Sequence, residues 1–127
     1  MNLLLDTHVL LWWLADDPAL PVAARAAIAN PDTTVLVSAA SVWEISIKQA
    51  TGRLDAPDDL IDAIEYNDFD TLPITASHAL AAGKLAPHHA DPFDRMLIAQ
   101  AEQDRLTLVT VDRRFADYDV ELLAVHE

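Results

Sequence analysis

The chain contains no cysteine, only 2 glycines, and 8 Lys plus Arg against 21 Asp plus Glu, which gives a formal net charge of −13. Without cysteine, disulfide bonds, zinc–thiolate sites and a cysteine nucleophile are all excluded. A large nucleic-acid footprint normally appears as a basic patch, so the acidic balance argues against one unless metal ions contact the phosphate. The same balance leaves room for a basic protein partner.

Long hydrophobic runs are also absent from the sequence. No apolar run approaches the roughly 18 residues that span a bilayer. The opening segment, MNLLLDTHVLLWWL, has no basic region and no small-residue cleavage site, so it is a poor signal peptide. We therefore expect a cytoplasmic protein with no membrane partner. With 127 residues, of which 52% are hydrophobic, residues 1–127 are predicted to form a single domain with a packed core.

Short hydrophobic strands alternate with helical patterns along the chain. Strands are predicted at Asn2–Leu5, Thr34–Val37, Phe69–Ile74, Leu106–Val111 and Val120–Val125. Helices are predicted at Thr7–Leu14, Pro21–Ala29, Ala39–Thr51, Asp58–Tyr66, Thr75–Gly83 and Asp91–Asp104. Pro21 is expected in a first helical turn, Lys84–Ala90 in a loop and Arg113–Ala116 in a short turn or helical piece. The alternation predicts an α/β fold with a mostly parallel sheet of about five strands and helices on both faces.

Four acidic residues follow predicted strands or stand in the first turn of a predicted helix: Asp6, Glu44, Asp94 and Asp112. The carboxyl ends of parallel strands share one edge, where ligands bind. Carboxylates crowded at that edge repel one another, so a bound cation is the simplest way to make the cluster tolerable. Hard oxygen ligands suit Mg²⁺ or Mn²⁺. Thr7, Ser38 and Thr110 lie beside these acids and could orient ligands or water.

Each of these acids also has an ordinary structural interpretation. Asp6 could cap the first helix, and Ser41 with Glu44 matches a capping box. Asp91 resembles the N-cap of the helix that follows it, and Asp112 could cap the next turn. Any one acid is more often a cap than a ligand, but a fold has no reason to choose carboxylates each time at one edge. The joint pattern therefore favours a metal site.

Four basic residues lie close in sequence to the acids and are candidate phosphate contacts: Lys48, Arg95, Arg113 and Arg114. Solvated charges or ion pairs are the competing interpretation for each of them. The adjacent His88 and His89 do not present one face, so loop structure is favoured over metal binding. His8 is expected to pack within the first helix rather than to join the site. Trp12 and Trp13 are expected in core or dimer packing.

The segments LLLDTHVLLWWL, SAASVWEISIK, DPFDRMLIAQA and LVTVDRRF, in this order, resemble a PIN-domain protein, and in particular the VapC-type toxins of bacterial toxin–antitoxin pairs. The resemblance runs over essentially the whole chain. It implies a compact α/β/α sandwich and metal-dependent endonucleolytic cleavage of RNA, with a 5′-phosphate and a 3′-hydroxyl as products. By motif position, it places the family's acids on Asp6, Glu44, Asp94 and Asp112. Asp91 belongs to the DPFDR pattern and is interpreted as a cap with a supporting role.

This resemblance leads to a mechanism in which Mg²⁺, with Mn²⁺ as the alternative, is held by Asp6 and Asp94 with help from Glu44 and Asp112. The metal would lower the pKa of a water, and the resulting hydroxide would attack phosphorus in line with the leaving oxygen. The family also implies an RNA substrate, a homodimer, and a cognate antitoxin that inserts a basic side chain into the acidic site. DNA would be contacted only through the antitoxin.

Two other functions compete with the nuclease. A phosphoacceptor domain of the response-regulator type expects an acidic pair after the first strand and a lysine after the last. This chain instead has Asp6-Thr7 and ends with Val125-His126-Glu127. A PIN-like interaction module that has lost catalysis is the closer alternative. A metal titration combined with an RNA cleavage assay separates the nuclease from the inactive interaction module, because only the nuclease needs both metal binding and RNA cleavage.

Overall fold

A sheet of five parallel strands forms the centre of the computed structural model, which describes residues 1–124. The strands are β1 (Asn2–Leu5), β2 (Thr34–Ser38), β3 (Asp70–Leu72), β4 (Thr107–Thr110) and β5 (Glu121–Ala124). The helices are α1 (Thr7–Leu14), α2 (Val22–Ala29), α3 (Ala39–Ala50), α4 (Leu60–Tyr66), α5 (Ala76–Lys84) and α6 (Pro92–Asp104), with a 3-10 helix at Arg113–Asp117. No helix within residues 1–124 is long and apolar enough to cross a membrane.

The central strand β1 shows why helices cover both faces of the sheet. Leu3, Leu4 and Leu5 are all fully buried, as expected for a parallel strand with neighbours on each side. Because successive side chains point to opposite faces, Leu3 and Leu5 pack with α1, α2 and α4, while Leu4 packs with Leu97 and Ile98 of α6. The predicted three-layer α/β/α sandwich is confirmed, and all four strand pairings are parallel.

The strand order β3-β2-β1-β4-β5 creates a crevice at one particular place. The chain proceeds from β1 to β2 and β3 on one side, and then returns to β4 and β5 on the other. Open parallel sheets bind ligands at the carboxyl ends of the strands where the order reverses. Here that point lies between β1 and β4, and the backbone N–H of Asp6 donates to the carbonyl of Val109 across it at 2.9 Å.

The predicted start of α3 at Ala39 is confirmed, and the structure decides between two candidate N-cap residues. Ser38, not Ser41, is the N-cap: its hydroxyl accepts a hydrogen bond from the N–H of Ala40 at 3.0 Å. The predicted capping box of Ser41 and Glu44 is therefore wrong, because both residues lie inside the helix. Ser38, which was a candidate for orienting ligands, is thus the N-cap of the helix. The side chain of Glu44 takes no part in capping.

Most other predicted elements are confirmed to within one or two residues. Pro21 occupies the N-cap position of α2 rather than its first turn, and the third strand is shorter than predicted, at Asp70–Leu72. The end of the last predicted strand, Val125, lies outside the described residues. Trp12 and Trp13 pack against the core, where Trp13 Nε1 donates to Asn67 Oδ1 at 3.0 Å, which confirms their predicted core packing.

Candidate metal centre

A cavity of about 300 Å³ opens at the crevice between β1 and β4, and we refer to it as the acidic pocket. Five carboxylate side chains line it: Asp6, Glu44, Asp91, Asp94 and Asp112. Three basic side chains line it as well: His8, Lys48 and Arg114. The four acids predicted from the sequence therefore come together in one place, although they belong to segments that are far apart in the chain.

Asp6 follows β1 directly and stands at the N-cap position of α1, but its side chain caps no backbone amide. Instead, its Oδ2 accepts a hydrogen bond of 2.8 Å from the hydroxyl of Thr110. Burial raises the pKa of Asp6, and the hydrogen bond from Thr110 opposes that rise. The capping interpretation of this residue is thus wrong, and the carboxylate faces the pocket.

Glu44 reaches the pocket from α3 and is held at both of its oxygens. The hydroxyl of Thr7 donates to Oε1 at 2.7 Å and lies 3.0 Å from the hydroxyl of Ser41. Lys48, one turn further along the helix, donates to Oε2 at 2.6 Å. Since Glu44 is only 4% exposed, these contacts supply the charge and hydrogen bonds that a buried carboxylate needs.

Asp91 and Asp94 start α6 in two different roles. Asp91 is the N-cap, as predicted, and its Oδ1 accepts hydrogen bonds from the N–H groups of Phe93 and Asp94 at 2.9 and 3.1 Å. The side chain of Asp94 faces the acidic pocket. Burial raises its pKa to about 8, with further contributions from the negative charges of Asp6, Asp91, Glu44 and Asp112. The surroundings of Asp94 therefore oppose its negative charge, as burial does for Asp6.

Asp112 follows β4 and is bound by Arg114 on both oxygens. The Nη2 of Arg114 lies 2.7 Å from Oδ2, and its backbone N–H donates to Oδ1 at 2.9 Å. The Arg114 side chain lowers the pKa of Asp112 to about 2. Asp112 also serves as the N-cap of the 3-10 helix, so the predicted capping role and the pocket location both hold for this residue.

The donor set fits a hard divalent cation. Carboxylate oxygens are the ligands that Mg²⁺ and Mn²⁺ prefer, and several of them converge here in a partly enclosed space. Burial is the main cause of the raised pKa of Asp94, and the negative charges of the neighbouring acids add to it. The starts of α1 and α6 point their positive dipole ends toward the same region. Glu44 and Asp112 are each paired with a basic side chain, Lys48 and Arg114 respectively, whereas within residues 1–124 neither Asp6 nor Asp94 is paired with a Lys or Arg.

Two of the predicted phosphate contacts lie away from the pocket. The Arg95 guanidinium turns toward the end of α5 and the loop that follows it, where it donates to the carbonyls of Ala82, Leu85, Ala86 and His89 at 2.8 to 3.2 Å. It holds this loop and does not face the cavity, because the loop backbone uses its donors. Arg113 is exposed in the 3-10 helix and does not line the pocket.

Two histidines are closer to the acids than the sequence had indicated. His8 is exposed and lines the pocket, although its ring also lies 6.2 Å from that of Trp12. His89 is only 2% exposed, and its Nε2 lies 2.9 Å from Oδ2 of Asp94 and 3.4 Å from Oδ2 of Asp112. The predicted loop location of His89 is correct, but its side chain reaches the acids. The available signal was its position two residues before Asp91 in the segment that leads into α6.

Comparison with known proteins adds a sequence relationship over nearly the whole chain. The family model for the PIN domain matches residues 3–121. A protein named ribonuclease VapC22, from Mycobacterium tuberculosis (strain ATCC 25618 / H37Rv), is 32% identical over 120 residues, which make up 92% of each chain.

Solved structures give the same fold at lower identity. DNA-bound VapBC from Salmonella typhimurium matches with a TM-score of 0.72 and 16% identity, over 99% of each chain. VapBC2 from Rickettsia felis, bound to a DNA fragment from its promoter, matches with a TM-score of 0.69 and 13% identity, over 99% of this chain and 100% of the other. VapBC-5 from Mycobacterium tuberculosis matches with a TM-score of 0.63 and 22% identity, over 98% of each chain.

Proposed function

This chain belongs to the PIN-domain family, and from that premise we propose that it is a metal-dependent endoribonuclease of the VapC type, the toxin of a type II toxin–antitoxin pair. One observation carries the proposal. Asp6, Glu44, Asp94 and Asp112 come from four separate segments, yet they line a single pocket at the point where the strand order reverses. Carboxylates gathered in this way can hold the divalent cation that metal-assisted phosphodiester hydrolysis uses.

Mg²⁺, or Mn²⁺ in its place, is the cofactor we propose, with Asp6 and Asp94 as its principal ligands and Glu44 and Asp112 in support. When bound, the cation supplies Lewis-acid charge that makes a water easier to deprotonate and neutralises negative charge on the phosphoryl oxygens. The residues of the chain fix the acids for this purpose. Thr110 orients Asp6, and Thr7 orients Glu44.

The reaction is hydrolysis of an RNA phosphodiester. Water adds to phosphorus, the bond to the 3′-oxygen breaks, and the products carry a 5′-phosphate and a 3′-hydroxyl. No covalent intermediate with the protein is needed, and the chain has no cysteine that could form one. Asp6 and Glu44 are buried, and charges in such surroundings act on one another more strongly than they would in bulk water.

Lys48 and Arg114 are the basic residues that the pocket geometry favours as phosphate contacts. Each is paired with an acid of the site, Lys48 with Glu44 at 2.6 Å and Arg114 with Asp112 at 2.7 Å. Either side chain can exchange its carboxylate for a phosphate oxygen of the substrate. His8, exposed at the rim, is a third candidate for contact with the RNA backbone.

The partners we propose follow from the family and from charge. A cognate antitoxin would place a basic side chain in the acidic pocket, and the net charge of −13 would steer a cationic segment toward it. The solved structures that share this fold include VapBC complexes, some of them bound to DNA, which supports an antitoxin partner. We propose that this chain meets DNA only through that antitoxin. We also propose that the protein forms a homodimer and acts in the cytoplasm.

The test is cleavage of total cellular RNA by purified, antitoxin-free protein with Mg²⁺, with Mn²⁺ and with EDTA. Asp6→Asn removes one pocket charge, and Asp32→Asn makes the same chemical change at an exposed turn outside the pocket. We expect discrete cuts that need the metal, that persist in Asp32→Asn and that disappear in Asp6→Asn. Metal-independent cleavage that survives in Asp6→Asn would overturn the proposal. A folded wild type that binds metal but cuts no RNA would favour the inactive interaction module.

A further inference from the structure

His89 is a buried imidazole placed directly beside two of the acids. It is 2% exposed, and its Nε2 lies 2.9 Å from Oδ2 of Asp94 and 3.4 Å from Oδ2 of Asp112. Neither contact has hydrogen-bond geometry, so Nε2 is one of the buried polar atoms in residues 1–124 without a hydrogen-bond partner. A buried polar group in this condition costs free energy, so its location needs an explanation beyond packing.

The rest of the loop fixes the position of the His89 ring. The backbone N–H of His89 donates to the hydroxyl of Tyr118 at 2.9 Å, and its carbonyl accepts from Arg95 at 3.1 Å. The ring packs on Phe115 with the centroids 5.5 Å apart. Tyr118 and Arg95 fix the backbone of His89, and Phe115 packs against its ring. These contacts leave the ring little freedom and point Nε2 toward the acids.

The second ring nitrogen determines which form of the imidazole faces the acids. Nδ1 accepts a hydrogen bond of 3.2 Å from the backbone N–H of Asp91. Nδ1 therefore carries the lone pair, and in the neutral ring the proton is on Nε2. Facing the two carboxylates, His89 presents an N–H donor and not a lone pair, so it is suited to binding carboxylate oxygens and unsuited to ligating a cation.

We propose that His89 is a positioning residue that presents its Nε2–H to both Asp94 and Asp112 and keeps these two carboxylates on one side of the cation site. The inference rests on the proposed function. Asp94 is carried by α6 and Asp112 by the segment after β4, so one imidazole would join two independently placed parts of the site. Its contact with Asp94 uses Oδ2, which leaves Oδ1 to a cation. Partners of this kind orient metal ligands and tune their strength.

A set of substitutions separates a donor from a ligand. His89→Gln puts an amide N–H near the position of Nε2. His89→Glu has nearly the shape of the glutamine variant, but it supplies only oxygens, which can ligate a cation. His89→Leu supplies neither. His88→Gln makes the matched change at the exposed neighbouring histidine, whose ring lies on Tyr118. The readout is the Mn²⁺ dissociation constant of the full-length, antitoxin-free protein, measured by calorimetry on samples shown by circular dichroism to be folded.

We expect His89→Gln and His88→Gln to bind Mn²⁺ within about threefold of the wild type. We expect His89→Leu and His89→Glu to bind about 10- to 100-fold more weakly, the range found for partners that act through a metal ligand. Binding by His89→Glu that matches the wild type while His89→Gln is weak would make His89 a ligand and overturn the inference. Equal binding by all folded variants would reduce His89 to a structural residue.

A second measurement uses the wild-type protein and therefore does not depend on whether a variant folds. In protein labelled with ¹⁵N-histidine, the long-range ¹H–¹⁵N spectrum reports which ring nitrogen carries the proton. We expect the His89 proton to remain on Nε2 before and after addition of diamagnetic Mg²⁺, and loss of that proton on binding would overturn the inference. If the wild type binds no metal, the proposed function fails together with this inference. If the wild type binds metal and cuts RNA but the variants match it, only the inference fails.

Discussion

The hydroxyl of Thr110 donates a hydrogen bond of 2.8 Å to Oδ2 of Asp6, and it also accepts one of 3.0 Å from the backbone N–H of Asp112. One side chain at the end of β4 thus connects the acid that follows β1 with the segment that carries the last acid. Thr110 is 2% exposed and Asp6 6% exposed, so water cannot easily replace these bonds. The orientation of Asp6 depends on this hydroxyl.

Thr110→Val keeps the shape of the side chain and removes the hydroxyl. We expect it to weaken both metal binding and RNA cleavage about 10- to 100-fold, as loss of a partner that orients a metal ligand does. Thr110→Ser, which keeps the hydroxyl, should stay within about threefold of the wild type on the same principle. Calorimetry with Mn²⁺ and the RNA cleavage rate give the two numbers. A Thr110→Val protein that binds and cleaves as well as Thr110→Ser would show that this bond does not orient Asp6.

Lys48→Met removes the positive charge that faces the buried carboxylate of Glu44. Breaking a fully buried pair costs about 3–5 kcal/mol. Lys48 keeps 27% of its side chain exposed, so we expect a loss of about 1–3 kcal/mol in the free energy of unfolding of the metal-free protein. Urea denaturation measures it, with Lys84→Met at an exposed position as the control.

The same comparison in saturating Mn²⁺ tests whether Glu44 belongs to the cation site. A cation beside Glu44 would partly replace the charge of Lys48, so the loss caused by Lys48→Met should shrink. If the loss is the same with and without Mn²⁺, Glu44 does not share the site with the cation.

The pKa of Asp94, raised to about 8 mainly by burial, predicts two pH effects. In the metal-free protein, folded Asp94 keeps its proton up to about pH 8, while the unfolded chain loses it near pH 4. Between these values the unfolded state binds fewer protons, so this group makes the free energy of unfolding fall as the pH rises. Asp94→Asn should remove that part of the slope in urea denaturations carried out with EDTA.

The second effect concerns metal affinity. Below pH 8 a proton competes with the cation for Asp94, and burial also raises the pKa of Asp6, so Mg²⁺ binding should tighten as the pH rises, by about tenfold per pH unit for each proton displaced. Asp112, whose pKa is lowered to about 2 by Arg114, stays charged throughout this range and contributes no slope. A Mg²⁺ dissociation constant that is constant from pH 6 to pH 8 would contradict the account.

Arg95→Lys tests the structural role of that residue. The guanidinium donates to four backbone carbonyls, one in the last turn of α5 and three in the loop that follows it, and a lysine ammonium cannot reproduce its planar set of donors. We expect the free energy of unfolding to fall by about 1–3 kcal/mol, with Arg113→Lys at an exposed position as the control. If Arg95→Lys leaves stability unchanged but raises the RNA concentration needed for half-maximal cleavage, Arg95 contacts phosphate after all.

Three of the four acids could be predicted because each stands next to a feature that is local in sequence. The capping box proposed for Glu44 is wrong, and the inclusion of this residue depends on the resemblance of the segment SAASVWEISIK to the PIN-domain pattern. Asp6 and Asp112 follow short hydrophobic strands, and Asp94 lies in a helix start announced by Asp91 and Pro92. The parallel arrangement of the strands then brings the acids together at one edge. The positions of these three acids follow from the hydrophobic pattern of the strands and from the capping residues of the helix. Both can be recognised in the sequence without knowledge of the tertiary contacts.

The roles of Ser38, Arg95 and His89 depend on backbone paths that the sequence pattern does not specify. Ser38 and Ser41 are both suitable caps, and the start of α3 decides between them. Arg95 is next to Asp94 in sequence, but its direction is set by the carbonyls of a loop without regular structure. His89 appeared as half of an unremarkable pair with His88, and only the packing of that loop on Phe115 turns its ring toward the acids.

Calorimetric titration of the antitoxin-free protein with Mg²⁺ at pH 8 tests the central claim, that the acidic pocket is a divalent-cation site. We predict saturable binding by the wild type and by Asp32→Asn, and binding at least about tenfold weaker by Asp94→Asn. A folded wild type that binds no Mg²⁺, or an Asp94→Asn protein that binds it as tightly as the wild type, would contradict the account.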